Sequence, residues 1–132
     1  MNTRLIAALM ALSLAGAAIP QAAAQGSAAG YPSRPVRWIV PFPPGASNDI
    51  TARLLAQKLT ETMGQQFVID NRPGAGGAIG AQIAVDAPAD GHTIMLAEIA
   101  FGANPALYSK LPYDTRKDFA PVILVGLMPT IL

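Results

Sequence analysis

Residues 67–88, FVIDNRPGAGGAIGAQIAVDAP, decide the fold. The run 67–70 is aromatic and β-branched, and it leads into a Gly/Pro loop containing Arg72, Pro73, Gly74, Ala75, Gly76 and Gly77. The segment 78–87 then holds Ile79 and Ile83 four apart before Pro88 stops it. Such a series predicts strand, tight loop and helix. The same order stands upstream. VRWIV at 36–40 ends at Pro41, the loop residues Phe42, Pro43, Pro44, Gly45 and Ala46 follow, and 47–64 places apolar residues at 50, 54, 55, 59 and 63. That is the period of a half-buried helix. Ser47 or Asn48 is its predicted N-cap, Asp49 sits in the first turn where a carboxylate suits the helix dipole, and Gly64 is the predicted stop. Downstream, Asp90-Gly91 predicts a turn and TIMLA at 93–97 a third strand. Asn104-Pro105 is expected to open a short helical turn with Pro first, and 111–118 reads as a polar connection. Strands alternating with helices through short loops give an α/β class: a mostly parallel sheet flanked by helices.

Working outward, the 132 residues include no Cys and one His, with a formal net charge of +1. Absent Cys excludes disulfide scaffolds, thiolate zinc sites and Cys nucleophiles. No basic run exists, so nothing suggests nucleic acid as a partner. His92 lies in the Asp90-Gly91-His92 turn without a second His, which leaves no catalytic pair and no metal set. The apolar excess is concentrated at the start, where Ala supplies 11 of the first 30 residues and 5–19 is broken only by Ser13 and Gly16. Fifteen residues are short of the roughly 20 that span a bilayer. Arg4, the apolar run, Pro20 and Ala22-Ala23-Ala24 together read as a signal peptide over 1–24, cleaved after Ala24. The expected product is an exported chain that is not membrane-inserted, with a flexible leader over 25–35 and a partial α/β ligand-binding lobe over 36–132.

In parallel sheets ligands bind beyond the carboxyl ends of the strands, where both Gly-rich loops fall. Each loop leads into a helix N-terminus whose first N–H groups lack intrahelical partners and carry partial positive charge. Gly45, Gly76 and Gly77 allow close approach to the backbone, and Pro43, Pro44 and Pro73 stiffen the loops. This chemistry suits a carboxylate held by amide donors with the Ser47 hydroxyl assisting. Asp49, if it faces the crevice, would repel an acid but accept from an amine or hydroxyl. The same residues also suit plain turns and caps. Gly74, Gly76 and Gly80 further admit a cofactor reading, G-x-G-x-x-x-G after a strand. That reading lacks the acidic residue expected at a following strand end, Glu98 being the nearest candidate. Glu98 otherwise reads as a loop-capping carboxylate, Arg72 as a partner of Asp70 or a prop for the second loop, and Trp38 and Met95 as core.

The strings YPSRPVRWIVPFPPGASNDITARLLAQKL, FVIDNRPGAGGAIGAQIAVDAPADGHTIML and NPALYSKLPYDTRKDFAPV resemble the extracytoplasmic solute-binding receptors of tripartite tricarboxylate transporters, the Bug family. The resemblance covers about 31–132, and NRPGAGG with LPYD and DFAPV carries it. It implies a type II periplasmic-binding-protein fold of two α/β lobes with a small organic carboxylate between them. It also implies a periplasmic protein that delivers ligand to membrane permease subunits, with no cofactor and no catalysis. The family's first binding loop matches Phe42 to Asp49 and its second Asn71 to Gly77, which implies Phe42, Pro43, Pro44, Gly45, Ala46, Ser47, Asp49, Gly74, Ala75, Gly76 and Gly77 as the ligand-binding residues. Two departures stand out: Gly45-Ala46 replaces a common Gly-Gly, and Ile99-Ala100-Phe101 replaces a Ser/Thr-His pair. Members are much longer, and 119–132 reads as a strand heading for a hinge, so the resemblance implies a first lobe truncated before the second. The alternatives are an exported α/β enzyme domain taking a phosphate-bearing cofactor, or a non-functional truncated product.

Overall fold

The computed structural model describes residues 30–127. The expected signal peptide and its cleavage point lie outside them. Within the described residues β1 (Val36–Val40), α1 (Ser47–Met63), β2 (Phe67–Asn71), α2 (Ala78–Val85), β3 (Thr93–Met95) and α3 (Ile99–Leu107) follow in order, with a tight turn at Ala75–Gly77 before α2. The strands form one parallel sheet in the order β2-β1-β3, with Val36 opposite Phe67 and Arg37 opposite Thr93.

Alternation along β1 divides the core. Trp38 and Val40 face α1, where they pack with Ala52 and Ala56 and with half-buried Phe42, Leu55, Leu59, Phe67, Ile69, Ile94 and Leu96. The small Ala52 and Ala56 let the helix backbone approach the sheet closely, and Val36, Ile39 and Val40 are fully buried. A second cluster joins Ala78 and Ala81 of α2 to Met95, Phe101, Tyr113 and Phe119. Phe119 meets Phe101 and Tyr113 edge-on at centroid distances of 4.9 and 5.7 Å. Helices on both faces of a parallel sheet are what largely apolar, β-branched strands favour.

Several local expectations are corrected. Neither Ser47 nor Asn48 caps α1: Ala46 is its N-cap without a side-chain bond, and the Asp49 carboxylate instead accepts from the Gly45 N–H at 2.8 Å. The predicted stop is where it was expected, with Gly64 at φ 72° bonding back to Thr60. β3 is shorter than read, ending at Met95. Pro105 does not open α3 but lies in its last turn, because Phe101 enters the second cluster and carries the helix start back to Ile99. The leader is not loose up to Pro35. Tyr31 donates to the Gly91 carbonyl at 2.8 Å, Arg34 pairs with Asp90 at 2.6 Å, and Ser33 meets the buried His92 at 3.4 Å. Residues 120–127 form no regular element and pair with no strand, with Val122, Ile123 and Leu127 at least 81% exposed; 128–132 lie outside the described residues.

Candidate functional site

Because β2 and β1 are neighbours and parallel, the loops that follow them emerge side by side at one sheet edge. The chain leaves β1 for β2 on one flank and crosses to β3 on the other, so a reversal of winding falls at this edge, the usual place for ligands in open α/β sheets.

The first loop is braced by one buried carboxylate. Asp49 is 2% exposed. Its Oδ2 accepts from the Gly45 N–H at 2.8 Å and from Arg53 Nε at 2.9 Å, and its Oδ1 accepts from Asn71 Nδ2 at 2.9 Å. The Arg53 hydrogen bond, followed by those from Gly45 and Asn71, holds the Asp49 carboxyl far below the usual carboxylate range. Asn71 also donates to the Phe42 carbonyl at 3.0 Å and accepts from Arg53 Nη2 at 3.1 Å. The end of β2 is thereby tied to both ends of the first loop. The condition for Asp49 to meet a ligand, that it face the crevice, does not hold, since both its oxygens are occupied inside the protein. Ser47 and Gly45 are exposed at the same edge, as are Pro43 and Pro44, while Phe42 and Ala46 are half-buried. The first-turn amides of α1, at Ser47, Asn48 and Asp49, have no intrahelical carbonyl to bind.

The second loop is a run of left-handed backbone: Gly74, Ala75, Gly76 and Gly77 have φ of 128°, 48°, 58° and 86°. Ala75 is the one non-Gly residue with positive φ among the described residues, a conformation that costs about 1–2 kcal/mol. What holds it there is packing from three sides. The Gly77 N–H closes the turn on the Gly74 carbonyl at 2.9 Å, and Pro41 of the first loop lies against Gly77 and Gly80. Asn104 of α3 donates to the Gly76 carbonyl at 3.1 Å. Gly80 is required for close approach: a Cβ there would stand 2.8 Å from the Pro41 Cβ and 3.1 Å from the Arg72 carbonyl oxygen. The third Gly of the G-x-G-x-x-x-G run thus packs helix against strand ends.

The flanking charges are structural. Burial pushes the Asp70 carboxyl up, but hydrogen bonds from Arg37 and Arg72, at 2.8 Å to each Nε, outweigh it and hold it below the usual range. Glu98 accepts from Asn48 Nδ2 at 2.6 Å, tying the residue before α3 to the first turn of α1. Two open concavities of about 440 and 470 Å³ lie along α1 and the outer edge of β2, lined by residues such as Arg53 and Phe67 or Arg37 and Val68. The second reaches Arg72 at the start of the second loop, but neither is lined by the glycines of either loop. Sequence reading missed Asn71 as a brace, and Asn104 and Tyr108 as neighbours of Gly76. In the sequence Asn104 is only the residue before a helix-opening Pro, and no local periodicity signals a contact across 28 positions.

Residues 51–132 match the family model described as Tripartite tricarboxylate transporter family receptor. The chain belongs to this family. It is 42% identical over 136 aligned positions to protein BugT of Bordetella pertussis, covering the whole of this chain and 40% of BugT. Among solved structures, R. palustris Rpa4515 with adipate superposes with a TM-score of 0.67 at 44% identity, over 70% of this chain and 31% of that one. MatC from Rhodopseudomonas palustris with bound malate gives 0.66 at 41%, over 70% and 32%. The chain spans about 30–40% of the length of the curated relatives it matches. The α/β class and the parallel sheet read from the sequence are those of periplasmic binding proteins.

Proposed function

We propose that this chain is the loop-bearing part of an extracytoplasmic receptor that captures a small organic carboxylate for a tripartite tricarboxylate-type secondary transporter. The observation that carries the reading is the juxtaposition of two stiff loops, each leading into a helix N-terminus at one edge of a parallel sheet, in a chain of this family. In it, the first-turn amides of α1 and the exposed Ser47 hydroxyl hold one side of the carboxylate. The backbone around Gly74, Ala75, Gly76 and Gly77 holds the other, and Gly45 keeps the approach free of a side chain. Phe42, Pro43, Pro44 and Ala46 shape the wall, while Asp49 acts from behind by fixing the loop. The Ser47 to Asp49 turn is also where the dipole of a 17-residue helix concentrates positive potential.

Binding and release, rather than bond making, is the chemistry such a site supports, and we assign the chain no catalytic activity. The first 24 residues act as a cleaved signal peptide, the protein works in the periplasm, and its macromolecular partners are the membrane permease subunits. Adipate and malate in the solved relatives make four- to six-carbon diacids the first ligands to try. Thermal shift and calorimetric titration of the full chain against di- and tricarboxylates, nucleotides and dinucleotides test the reading. Stabilisation by acids alone is expected. Stabilisation by a nucleotide and by no carboxylate would overturn it in favour of a phosphate-bearing cofactor at the Gly-rich loop.

A further inference from the structure

The sheet order β2-β1-β3 leaves β2 at an edge. Its inner side is fixed by the Val36 N–H on the Gln66 carbonyl and the Arg72 N–H on the Val40 carbonyl, both at 2.8 Å. In a parallel ladder alternate residues turn their backbone groups to the same side, so Gln66, Val68, Asp70 and Arg72 face β1 while Phe67, Ile69 and Asn71 face outward. The Thr60 hydroxyl takes the Phe67 N–H at 3.2 Å. The backbone groups of Ile69 and Asn71 have no partner among the described residues. Natural sheets blunt such an edge with Lys, Pro or a bulge. Residues 67–71 hold neither Lys nor Pro, and their register against 36–40 is unbroken.

Both open concavities flank this edge and share Ile69. On the α1 face, about 440 Å³ is floored by Ala56, Phe67 and Ile69. On the opposite face α2 packs over β1 and β3, and Val68 is left 49% exposed beside about 470 Å³. Successive side chains of a strand point to opposite faces, so a fourth strand laid along Ile69 would send one set into each concavity. The charges choose the occupant. On the Val68 face two guanidiniums, Arg37 and Arg72, meet the single Asp70 carboxylate, and the Arg72 Nη groups make no hydrogen bond among the described residues. On the α1 face Arg53 and Lys58 are matched by Asp49 and Glu61. A second copy paired edge to edge would bring two positive excesses together, which opposes it. We propose that the outer edge of β2 is a docking edge for an extended acidic segment of a partner protein, added as a fourth strand. Its acidic side chains lie toward Arg37 and Arg72, and its apolar ones toward Ala56 and Phe67.

This docking edge is independent of the carboxylate reading above. The probe is a short blocked peptide of alternating valine and glutamate, titrated into the labelled full chain and followed by amide NMR. Its valine-lysine counterpart and a fully N-methylated copy, which keeps the charges and loses every main-chain donor, are the controls. Saturable shifts at Phe67 and Ile69 are expected, with both controls binding at least about tenfold more weakly. Val68→Glu, a change at an exposed side chain whose fold is checked by circular dichroism, is expected to weaken the valine-glutamate peptide by a similar factor. Absent binding, equal binding of either control, an unchanged affinity in Val68→Glu, or shifts confined to Ser47, Gly76 and Gly77 would overturn the docking edge. A wild-type dimer in sedimentation that Val68→Glu dissociates would also overturn it, in favour of a second copy at this edge.

Discussion

Gly80→Ala is a small perturbation with opposing consequences that the structure resolves. In an unconstrained helix the change stabilises by about 1 kcal/mol, because Gly loses more backbone entropy on folding. Here the added Cβ would stand 2.8 Å from the Pro41 Cβ, 3.1 Å from the Arg72 carbonyl oxygen and 3.2 Å from the Pro41 Cα, where ordinary contact begins at 3.4 Å. Two of the three atoms are backbone and the third belongs to a rigid ring, so α2 must move away from both strand ends. Overpacking of this kind costs about 1–3 kcal/mol, which outweighs the propensity gain at all but the lower end. A net loss of about 1 kcal/mol lowers Tm by roughly 4–8 °C in a unit of this size. Pro41 opens the first loop and Arg72 the second, so the displacement separates the two halves of the proposed site, and carboxylate affinity is expected to fall by more than the stability change alone implies. Circular dichroism melting paired with calorimetric titration reads both. An unchanged or raised Tm would refute the packing argument, and a lowered Tm with unchanged affinity would refute the link between helix seating and loop placement.

Asn104→Ala leaves the Gly76 carbonyl without its donor and is expected to destabilise by about 1–3 kcal/mol, checked by urea denaturation. Because Asp49 and Asp70 both have depressed carboxyl pKa values in the folded state, the stability they contribute is present above the ordinary carboxylate range and is lost as pH falls below about 4. Urea midpoints at pH 7, 4 and 3 should decline in that order, and Asp49→Asn should lower the midpoint at pH 7 while flattening the decline. Gly76→Ala sets a side chain at φ 58° against Asn104 and Tyr108, and should weaken acid binding at least as much as it lowers Tm in paired melts and titrations. Ser47→Ala should weaken binding severalfold without moving Tm, since the Ser47 hydroxyl does not cap α1.

The parallel α/β arrangement was legible because its signals are local: β-branched runs at 36–40 and 67–70, apolar spacing through 50, 54, 55 and 59, and Gly or Pro at the breaks. Both loops were legible for the same reason. What escaped was set by contacts distant in sequence. Ser47 and Asn48 carry the right side chains for a cap, yet α1 begins at a site whose first-turn carboxylate is drawn inward by Arg53 and by Asn71, 22 residues away. Pro105 reads as a helix opener by rule, but burial of Phe101 against Tyr113 and Phe119 extends α3 past it in the other direction. Residues 31–34 look like linker by composition, and only the Asp90-Gly91-His92 turn coming alongside gives them partners. Gly80 was visible as a spacing, while its reason, the approach of Pro41, was not.

The central claim is that a small carboxylate is held by backbone amides of the two neighbouring loops. Titrating the isotopically labelled full chain with malate and following amide resonances by NMR tests it most directly. The account predicts saturable shifts concentrated at Ser47, Asn48, Asp49, Gly76 and Gly77, with Gln66 and Val68 on the outer edge of the sheet unmoved. Shifts confined to that outer edge of the sheet, or saturation without movement in either loop, would contradict it.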